Sequence, residues 1–412
     1  MADESERDQP TTGNYRSGEL LARASDVARV QEQLDAMGVA ATPDEPDALG
    51  LVCFKWTGGP EAGTAVDEVR DRCDKQWPGW RPTISPNHIL GAVVDPDTAA
   101  VVVATSEDIG GPAKLPSPTT ASLKTRRVTD DEGTGVTVGV IDTGAMAHPW
   151  LTGSFLAGPA DFDVKSEKKK GVLDSQDGHG TFVAGIILQQ APGATIRAVR
   201  ALGPDGRADI RGVAAALERL GRMGVDVVNL SLGGYTRRNE AMSVFGPALA
   251  SLGPSTVVVA AAGNHDPKKH TKFRPSRKFW PAAMDDVVSV AALDREDSAD
   301  VGLADFSNFG PWVTLSTFGT DVLSTFLEFD GNDATFRGWA TWSGTSFAAP
   351  RVAGAIAALM TEKGVRVRTA QEAKRMLLGK AEGAPFDPGR VALGADPGAG
   401  RFLRLPPAIK PA

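Results

Sequence analysis

The sequence predicts an α/β fold, with a three-layer domain on a mostly parallel central sheet preceded by a small α/β domain. Two observations support this prediction. Beyond residue 131, short apolar β-branched runs alternate with stretches of helical periodicity, a pattern typical of parallel sheets covered by helices on both faces. Before it, a Gly-, Pro-, Ser- and Thr-rich segment at 110–122 separates off a front part of about a hundred residues, a normal domain size.

Composition argues against several classes of protein. The 412 residues are 42% apolar and 23% charged, and their net charge of −7 suggests no general affinity for nucleic acid or membranes. No apolar run is long enough to span a bilayer, and the acidic start lacks the features of a secretory signal. We therefore expect a cytoplasmic protein, and a monomer. The two cysteines, Cys53 and Cys73, favour free buried thiols over a disulfide framework.

The front part is predicted to contain a disordered start at 1–18 and a domain at 19–108. Ser25 or Asp26 can cap a helix whose apolar spacing ends at Gly38. Residues 64–67 resemble a capping box at the start of a second helix. No clear strand precedes the first helix. The pattern predicts strands at 49–56, 88–94 and 99–105.

Residues 109–130 are predicted to form a linker and 131–412 the second domain. The linker carries the basic run Lys124-Thr125-Arg126-Arg127, which is either a site cleaved during maturation or solvated surface charge. In the second domain, the pattern predicts strands at 137–141, 195–200, 225–230, 257–262 and 287–292, and helices from residue 179 and at 210–223, 243–252, 347–363 and 370–378.

The stretch Gly344-Thr345-Ser346-Phe347-Ala348-Ala349-Pro350 organises the second domain. A glycine and two hydroxyl residues open a long apolar run, as at the N-terminus of a helix that presents a serine at its tip. The positive end of such a helix favours a developing negative charge. Alone, the stretch also fits an ordinary capped helix.

A serine becomes a nucleophile only with a base and a partner that orients the base. One of the five histidines, His179, lies in Asp177-Gly178-His179-Gly180-Thr181, where small neighbours leave the imidazole accessible. Upstream, an apolar β-branched run ends in Asp142-Thr143-Gly144, so the carboxylate is expected at the carboxyl end of a buried strand.

With Asp-Thr-Gly, His-Gly-Thr and Gly-Thr-Ser in this chain order, the sequence resembles the subtilisin-like serine peptidases, or subtilases, over residues 134–385. The resemblance implies a subtilisin-like three-layer domain and a serine endopeptidase acting on peptides or proteins. It implies that Ser346 attacks the scissile carbonyl, that His179 acts as general base and then acid, and that Asp142 orients the imidazole.

The same resemblance assigns the remaining parts of a site. Asn264, which follows an apolar strand, would donate to the oxyanion together with the Ser346 backbone N–H. Two segments would form the walls of the pocket for the residue before the cut, and the first of them would also pair with the extended substrate. These are Ser231, Leu232, Gly233 and Gly234 on one side, and Ala261, Ala262 and Gly263 on the other.

The sequence also departs from the family. The loop after the catalytic-histidine helix is short and lacks carboxylates, so no metal site is assigned, although calcium binding stays possible; Asp161 and Asp163 are expected on the solvated surface. Phe279 lies where relatives often have a glycine at the base of the pocket, and a ring pointing inward would make that pocket shallow and favour a small or medium side chain. The basic loop 268–278 either attracts acidic peptides or is simply solvated.

Several alternatives stay open on the sequence alone. The front domain resembles a propeptide that assists folding and covers the active site, or it is a recognition module that remains attached. The second domain is an endopeptidase, a catalytically inactive peptide-binding module, or a hydrolase of other acyl compounds.

Overall fold

The computed structural model of the chain describes residues 15–91, 113–114, 132–156, 158, 161, 173, 176–203, 205–236, 239–242, 244–265, 277–294, 302–330, 335–362, 367, 369–383 and 401–405. The strands in these residues are β1 (Tyr15–Arg23), β2 (Thr42–Pro43), β3 (Leu51–Lys55), β4 (Ile84–Gly91), β5 (Ala113–Lys114), β6 (Thr137–Asp142), β7 (Phe155–Leu156), β8 (Thr195–Arg200), β9 (Arg207–Asp209), β10 (Val227–Leu230), β11 (Val257–Ala261), β12 (Val287–Leu293), β13 (Leu315–Phe318), β14 (Val322–Asp330) and β15 (Thr335–Trp342). The helices are α1 (Val27–Ala36), α2 (Ala62–Gln76), α3 (His179–Gln190), α4 (Ile210–Met223), α5 (Phe245–Ala250), α6 (Thr345–Leu359) and α7 (Ala370–Gly379).

A seven-stranded sheet in the order β13-β12-β11-β10-β6-β8-β7 forms the centre of the larger domain, and its strands are parallel. Successive residues of each strand point to opposite faces. In β11, Val257 and Val259 therefore pack in the core with α3, α6 and α7, while Val258 and Ala260 pack in the core with α4 and α5. Both faces are covered, so the strands are continuously apolar, and the predicted three-layer α/β fold is confirmed.

The order of the strands creates a crevice at one edge of this sheet. The chain leaves β6 for β8 on one side and later returns to β10 on the other side of β6. At such a switch point the connections diverge, and the carboxyl ends of the two strands are open to ligands. Asp142 ends β6, and Ser231 follows the last residue of β10.

The smaller domain packs α1 and α2 against an antiparallel sheet in the order β2-β3-β1-β4, around a core that includes Leu20, Leu34 and Phe54. β9 of the larger domain pairs with β4, so the sheet crosses from one domain to the other. Cys53 and Cys73 are free and buried, as predicted. Burial raises the pKa of Cys53 to about 12, so its thiol is protonated at neutral pH.

Four local predictions for the smaller domain were wrong. Residues 15–18 are not part of a disordered start, and a strand does precede the first helix: β1 begins at Tyr15 and is held between β3 and β4, partners that only the tertiary fold supplies. The capping box is also wrong, because α2 begins at Ala62, upstream of it. Asp26 does not cap α1 with its side chain; Thr83 N donates to that carboxylate instead, at 2.9 Å.

The predicted strand at 99–105, the basic run at 124–127 and most of the linker lie outside the described residues. The strand β5 lies within the predicted linker, and it pairs with β15 at the edge of the β14–β15 hairpin. Within the described part of the chain, every helix is too short or too polar to cross a bilayer. The monomeric state and the cytoplasmic location stay predictions.

Candidate active site

The three motif segments converge at the carboxyl edge of the parallel sheet. Asp142 ends β6, while His179 and Ser346 lie in the first turns of α3 and α6. These two helices pack against each other on one face of the sheet. The imidazole of His179 lies with its centroid 5.3 Å from the ring of Phe347, the residue next to Ser346. The fold therefore brings the carboxylate and the imidazole to the N-terminal end of α6, which carries Ser346.

Asp142 and His179 form a buried hydrogen-bonded pair. The Nδ1 atom of His179 lies 2.7 Å from Oδ1 of Asp142, and neither side chain is more than 2% exposed. The same carboxylate oxygen accepts a hydrogen bond from the backbone N–H of Thr143 at 2.7 Å. An ionised carboxylate accepts only, so Nδ1 carries the proton and the Nε2 atom of the neutral ring can take one. This is the tautomer that a general base requires.

Close contacts of α3 with the loop after β6 hold this pair in place. Gly180 lies so near that loop that an added Cβ would be 1.9 Å from the carbonyl oxygen of Gly144. The Gly180 N–H donates to Thr143 Oγ1, and Thr181 Oγ1 accepts from the N–H of Met146. Only a glycine allows this approach, which explains why a glycine follows His179 in the His-Gly-Thr motif.

Aromatic side chains surround the imidazole. Trp342, at the end of β15, meets the His179 ring edge to face at 5.4 Å, and Phe347 contacts both rings. Phe182, one turn further along α3, packs on Trp342 and Phe347. The sequence alone did not predict a role for Trp342. Its position two residues before the Gly344-Thr345-Ser346 motif was the signal that it lies near the site. These rings exclude water from one side of the imidazole.

Ser346 lies at the N-terminal end of α6 with its side chain 3.3 Å from the carbonyl oxygen of Ser231. Among the hydrogen bonds of the described residues, Ser346 Oγ donates to the carbonyl of Ser231 and none joins it to His179. Ser231 itself anchors the helix start. Its Oγ donates to the Ser346 carbonyl at 2.7 Å and accepts from Asn229 Nδ2 at 2.9 Å.

Two N–H groups at the start of α6 and on its neighbour Asn264 have no acceptor among the described residues. The Asn264 side chain is fixed through its oxygen, which accepts from the N–H and the hydroxyl of Thr345 at 2.9 and 3.0 Å. This leaves the Asn264 Nδ2 group with no acceptor among the described residues. The Ser346 N–H, in the first turn of α6, likewise has no described acceptor, since the first N–H groups of a helix lack partners within it. Thr345 was not predicted as a site residue.

The two predicted wall segments lie side by side, but their side chains do not all face the crevice. Leu232 and Ala261 are buried in the cores on opposite faces of the sheet. Ser231 bonds to α6, and Ala262 packs with Val313. The walls are therefore mainly backbone. The ring of Phe279 lies where a Cβ on either Gly233 or Gly263 would be, so it contacts both wall segments.

The smaller domain occupies the free edge of the first wall segment. Gly91, the last residue of β4, exchanges two backbone hydrogen bonds with Gly233, Gly91 N to Gly233 O at 2.8 Å and Gly233 N to Gly91 O at 2.9 Å. Leu90 lies against Gly234, where an added Cβ would be 3.1 Å from Leu90 Cδ2. The end of β4 thus forms one antiparallel bridge pair with the first wall segment, between Gly91 and Gly233.

Ion pairs hold the smaller domain beside the site. Arg211, in the first turn of α4, bonds Asp44 at 2.5 Å and Asp47 at 3.2 Å, and Arg70 bonds Glu240 at 2.8 Å. Of the basic loop, Arg277 and Lys278 are described. Arg277 lies over the ring of Tyr235 and Lys278 over that of Trp280, so these two cations pack on aromatic rings; the remainder of the loop's predicted role is untested.

Within the described residues, no cluster of His, Cys, Asp and Glu has the makings of a metal site, and calcium binding remains untested. The prediction that Asp161 is solvated was wrong, because it is 1% exposed and bound by both terminal nitrogens of Arg219. Burial would raise the pKa of Asp161, but the hydrogen bonds from Arg219 and from the N–H of Arg200 outweigh it and hold the pKa below its ordinary value.

Comparison with known proteins gives a consistent result. The profile described as "Subtilase family" matches residues 133–396. The "Thermophilic serine proteinase" of Bacillus sp. (strain AK1) is 33% identical over 251 residues, which are 58% of this chain and 56% of that protein. "Subtilisin BL" of Lederbergia lenta is 35% identical over 240 residues, covering 56% of this chain and 78% of the relative.

One solved structure resembles nearly the whole chain. Fervidolysin from Fervidobacterium pennivorans, described as a keratinolytic enzyme related to subtilisin, aligns with a TM-score of 0.60 over 96% of this chain and 61% of its own, at 23% identity. At this identity the likeness concerns the fold alone, and it extends over the smaller domain. The chain thus spans little more than half the length of the Bacillus proteinase and of fervidolysin.

Proposed function

The chain belongs to the subtilase family, and we propose on that premise that it is a serine endopeptidase that cleaves peptide bonds through an acyl-enzyme. The observation that supports this most directly is the 2.7 Å bond between Asp142 and His179 beside a serine at a helix N-terminus. The proposed catalytic residues are Ser346, His179, Asp142 and Asn264.

In the proposed reaction, Ser346 Oγ attacks the carbonyl carbon of the scissile bond while His179 Nε2 takes its proton. The negative charge moves to the carbonyl oxygen, which accepts from Asn264 Nδ2 and from the Ser346 N–H. When the C–N bond breaks, His179 gives the proton to the leaving amine. A water molecule then attacks the ester carbonyl while His179 takes its proton. The proton passes to Ser346 Oγ as the C–O bond of the ester breaks. Asp142 stays ionised and stabilises the imidazolium.

The pairing of Gly91 with Gly233 favours a peptide over another acyl compound as the substrate. An extended backbone already lies along this edge and exchanges two hydrogen bonds with it. Backbone hydrogen bonds of this kind give a substrate affinity and register without regard to its side chains. An ester lacking a peptide backbone would have to bind without them. We therefore expect proteins and peptides to be hydrolysed, and esters whose acyl group has no peptide backbone to be poor substrates.

A fluorophosphonate probe tests the assignment of the nucleophile. We expect wild-type protein to be labelled on Ser346, and Ser346→Ala to be unlabelled and to hydrolyse no peptide. Ser231→Ala serves as a control, because it removes a neighbouring hydroxyl that the proposal does not use as a nucleophile; it should still be labelled. A correctly folded wild type that is neither labelled nor active would instead support the inactive peptide-binding module.

We propose further that the smaller domain covers the active site, as a propeptide would. Leu90 lies against Gly234 and Gly91 pairs with Gly233, so the chain runs toward Ser231, whose carbonyl contacts Ser346. A segment running this way blocks the edge along which a substrate would pair. The recognition-module alternative offers no reason for this contact.

Intact mass of the purified full chain, wild type beside Ser346→Ala, tests the role of the smaller domain. Self-cleavage shortly after Gly91, or in the basic run at 124–127, would appear in the wild type only and would support the propeptide. A wild type that is labelled by the probe, active and still of full mass would support a module that stays attached.

A further inference from the structure

Phe279 fills the space between the two glycine walls of the crevice. A Cβ built on Gly233 would lie 2.2 Å from Cε1 of this ring, and one built on Gly263 would lie 2.8 Å from its Cγ. Both glycine backbones are therefore in van der Waals contact with the same aromatic ring, which is 1% exposed. The gap between the walls is occupied by a side chain of this chain.

The ring is held where it lies. Tyr235 packs against it edge to face at 5.1 Å, and the Tyr235 hydroxyl accepts from Asn308 Nδ2 at 2.7 Å. The same Asn308 nitrogen also donates to the carbonyl of Ala262, in the second wall, at 2.9 Å. The backbone beside the ring is fixed as well, because Trp280 and Gly234 exchange hydrogen bonds of 2.9 and 2.8 Å. Moving the phenyl group aside would break contacts with both walls.

We propose that Phe279 restricts the enzyme to substrates with a small residue, of the size of Gly, Ala or Ser, immediately before the cut. This inference rests on the proposed function and adds the class of substrate. A side chain inserted between Gly233 and Gly263 has to share that space with the ring, and a packed interior gives little room for overlap. A methyl group needs little depth, whereas a phenyl or isobutyl group would meet the ring of Phe279.

A series of fluorogenic peptides that differ only in the residue before the cut tests the inference. For the wild type we expect kcat/KM with Ala to exceed that with Phe by about 10²-fold, because steric rejection in an apolar pocket reaches this order. In Phe279→Ala the Phe substrate should gain about 10²-fold relative to Ala, and Phe279→Leu should give an intermediate ratio. For each variant the result is read as the ratio of kcat/KM with Ala to kcat/KM with Phe.

Phe245→Ala is the matched control. Phe245 is a fully buried phenylalanine in α5, in the core on the other face of the sheet. Its loss should lower the melting temperature as much as the loss of Phe279 does, with the ratio of Ala to Phe hydrolysis unchanged. If Phe279→Ala fails to fold, the wild-type profile and Phe279→Leu still decide the question.

The fluorophosphonate probe separates failure of this inference from failure of the proposed function. A wild type that is labelled on Ser346 and prefers Phe, Tyr or Leu before the cut would overturn the inference and leave the endopeptidase intact. An unlabelled wild type that hydrolyses no member of the series would remove the proposed function and this inference together. A labelled wild type that prefers Ala, with a preference that Phe279→Ala removes, supports both.

Discussion

Replacing Thr345 by Val removes one of the two hydrogen bonds that orient the amide of Asn264. The hydroxyl of Thr345 donates to Asn264 Oδ1 at 3.0 Å, while the Thr345 N–H, 2.9 Å from the same oxygen, is unaffected by the substitution. A neutral hydrogen bond contributes about 0.5–1.5 kcal/mol. If that amount holds Nδ2 toward the oxyanion, its loss lowers kcat by about 2- to 12-fold. KM should change little, because the donor acts mainly in the transition state.

The assay is a double-mutant cycle of Thr345→Val with Asn264→Ala, measured as kcat on one small-residue peptide. Asn264→Ala alone should lower kcat by about 10²–10³, the magnitude known for an oxyanion donor of a subtilisin. In the Asn264→Ala background, Thr345→Val should have almost no further effect on kcat, because Thr345 then has no amide to orient.

Thr256→Val controls for the general effect of losing a hydrogen-bonded hydroxyl. Its Oγ1 donates to Val225 O and Leu252 O, at the amino end of β11, away from the catalytic edge. It should lower stability and leave kcat unchanged. Thr345→Val also loses stability, because its hydroxyl accepts from the buried N–H of Gly263 at 3.1 Å. An equal drop in kcat with and without Asn264 would refute the reasoning, as would an unchanged kcat in the single variant.

Three further predictions follow from the packing around the site. Gly91→Pro removes the N–H that donates to Gly233 at 2.8 Å, so fluorophosphonate labelling of full-length protein should be about 2- to 10-fold faster; an unchanged rate would show that this contact does not limit access. Gly180→Ala forces a Cβ to within 1.9 Å of a backbone oxygen beside the Asp142–His179 pair, so kcat/KM should fall at least about 10²-fold and the melting temperature should drop; wild-type activity would contradict the observed approach. Because the pKa of Asp161 is lowered in the folded protein, its ionised form stabilises the fold at neutral pH, and that contribution is lost as the pH falls below about 4. Asp161→Asn should therefore be less stable at pH 7 and lose less stability than wild type between pH 5 and pH 2, as followed by thermal unfolding; parallel curves would refute this.

Short-range patterns were enough to locate most elements of the larger domain. The predicted bounds of the helix at 210–223 coincide with those of α4, because it has an Asp209 N-cap, an apolar stripe and a terminating Gly224 in the left-handed region. The predicted strands there lie within two residues of the observed ones, since the buried parallel strands are continuously apolar. In the smaller domain the same patterns did not predict a strand at residues 15–18. The start of β1 is polar, and its extended conformation is stabilised by pairing with β4.

By itself, the sequence determined the family, the α/β fold and the identity of the residues proposed for catalysis, because motif spacing and apolar periodicity are local properties of the chain. Only the tertiary structure decided that Gly91 pairs with Gly233, that Phe279 lies between two glycines and that Thr345 holds Asn264. Each of these contacts joins segments that are far apart along the chain. Their geometry depends on how whole strands and helices pack, and no short stretch of sequence specifies that.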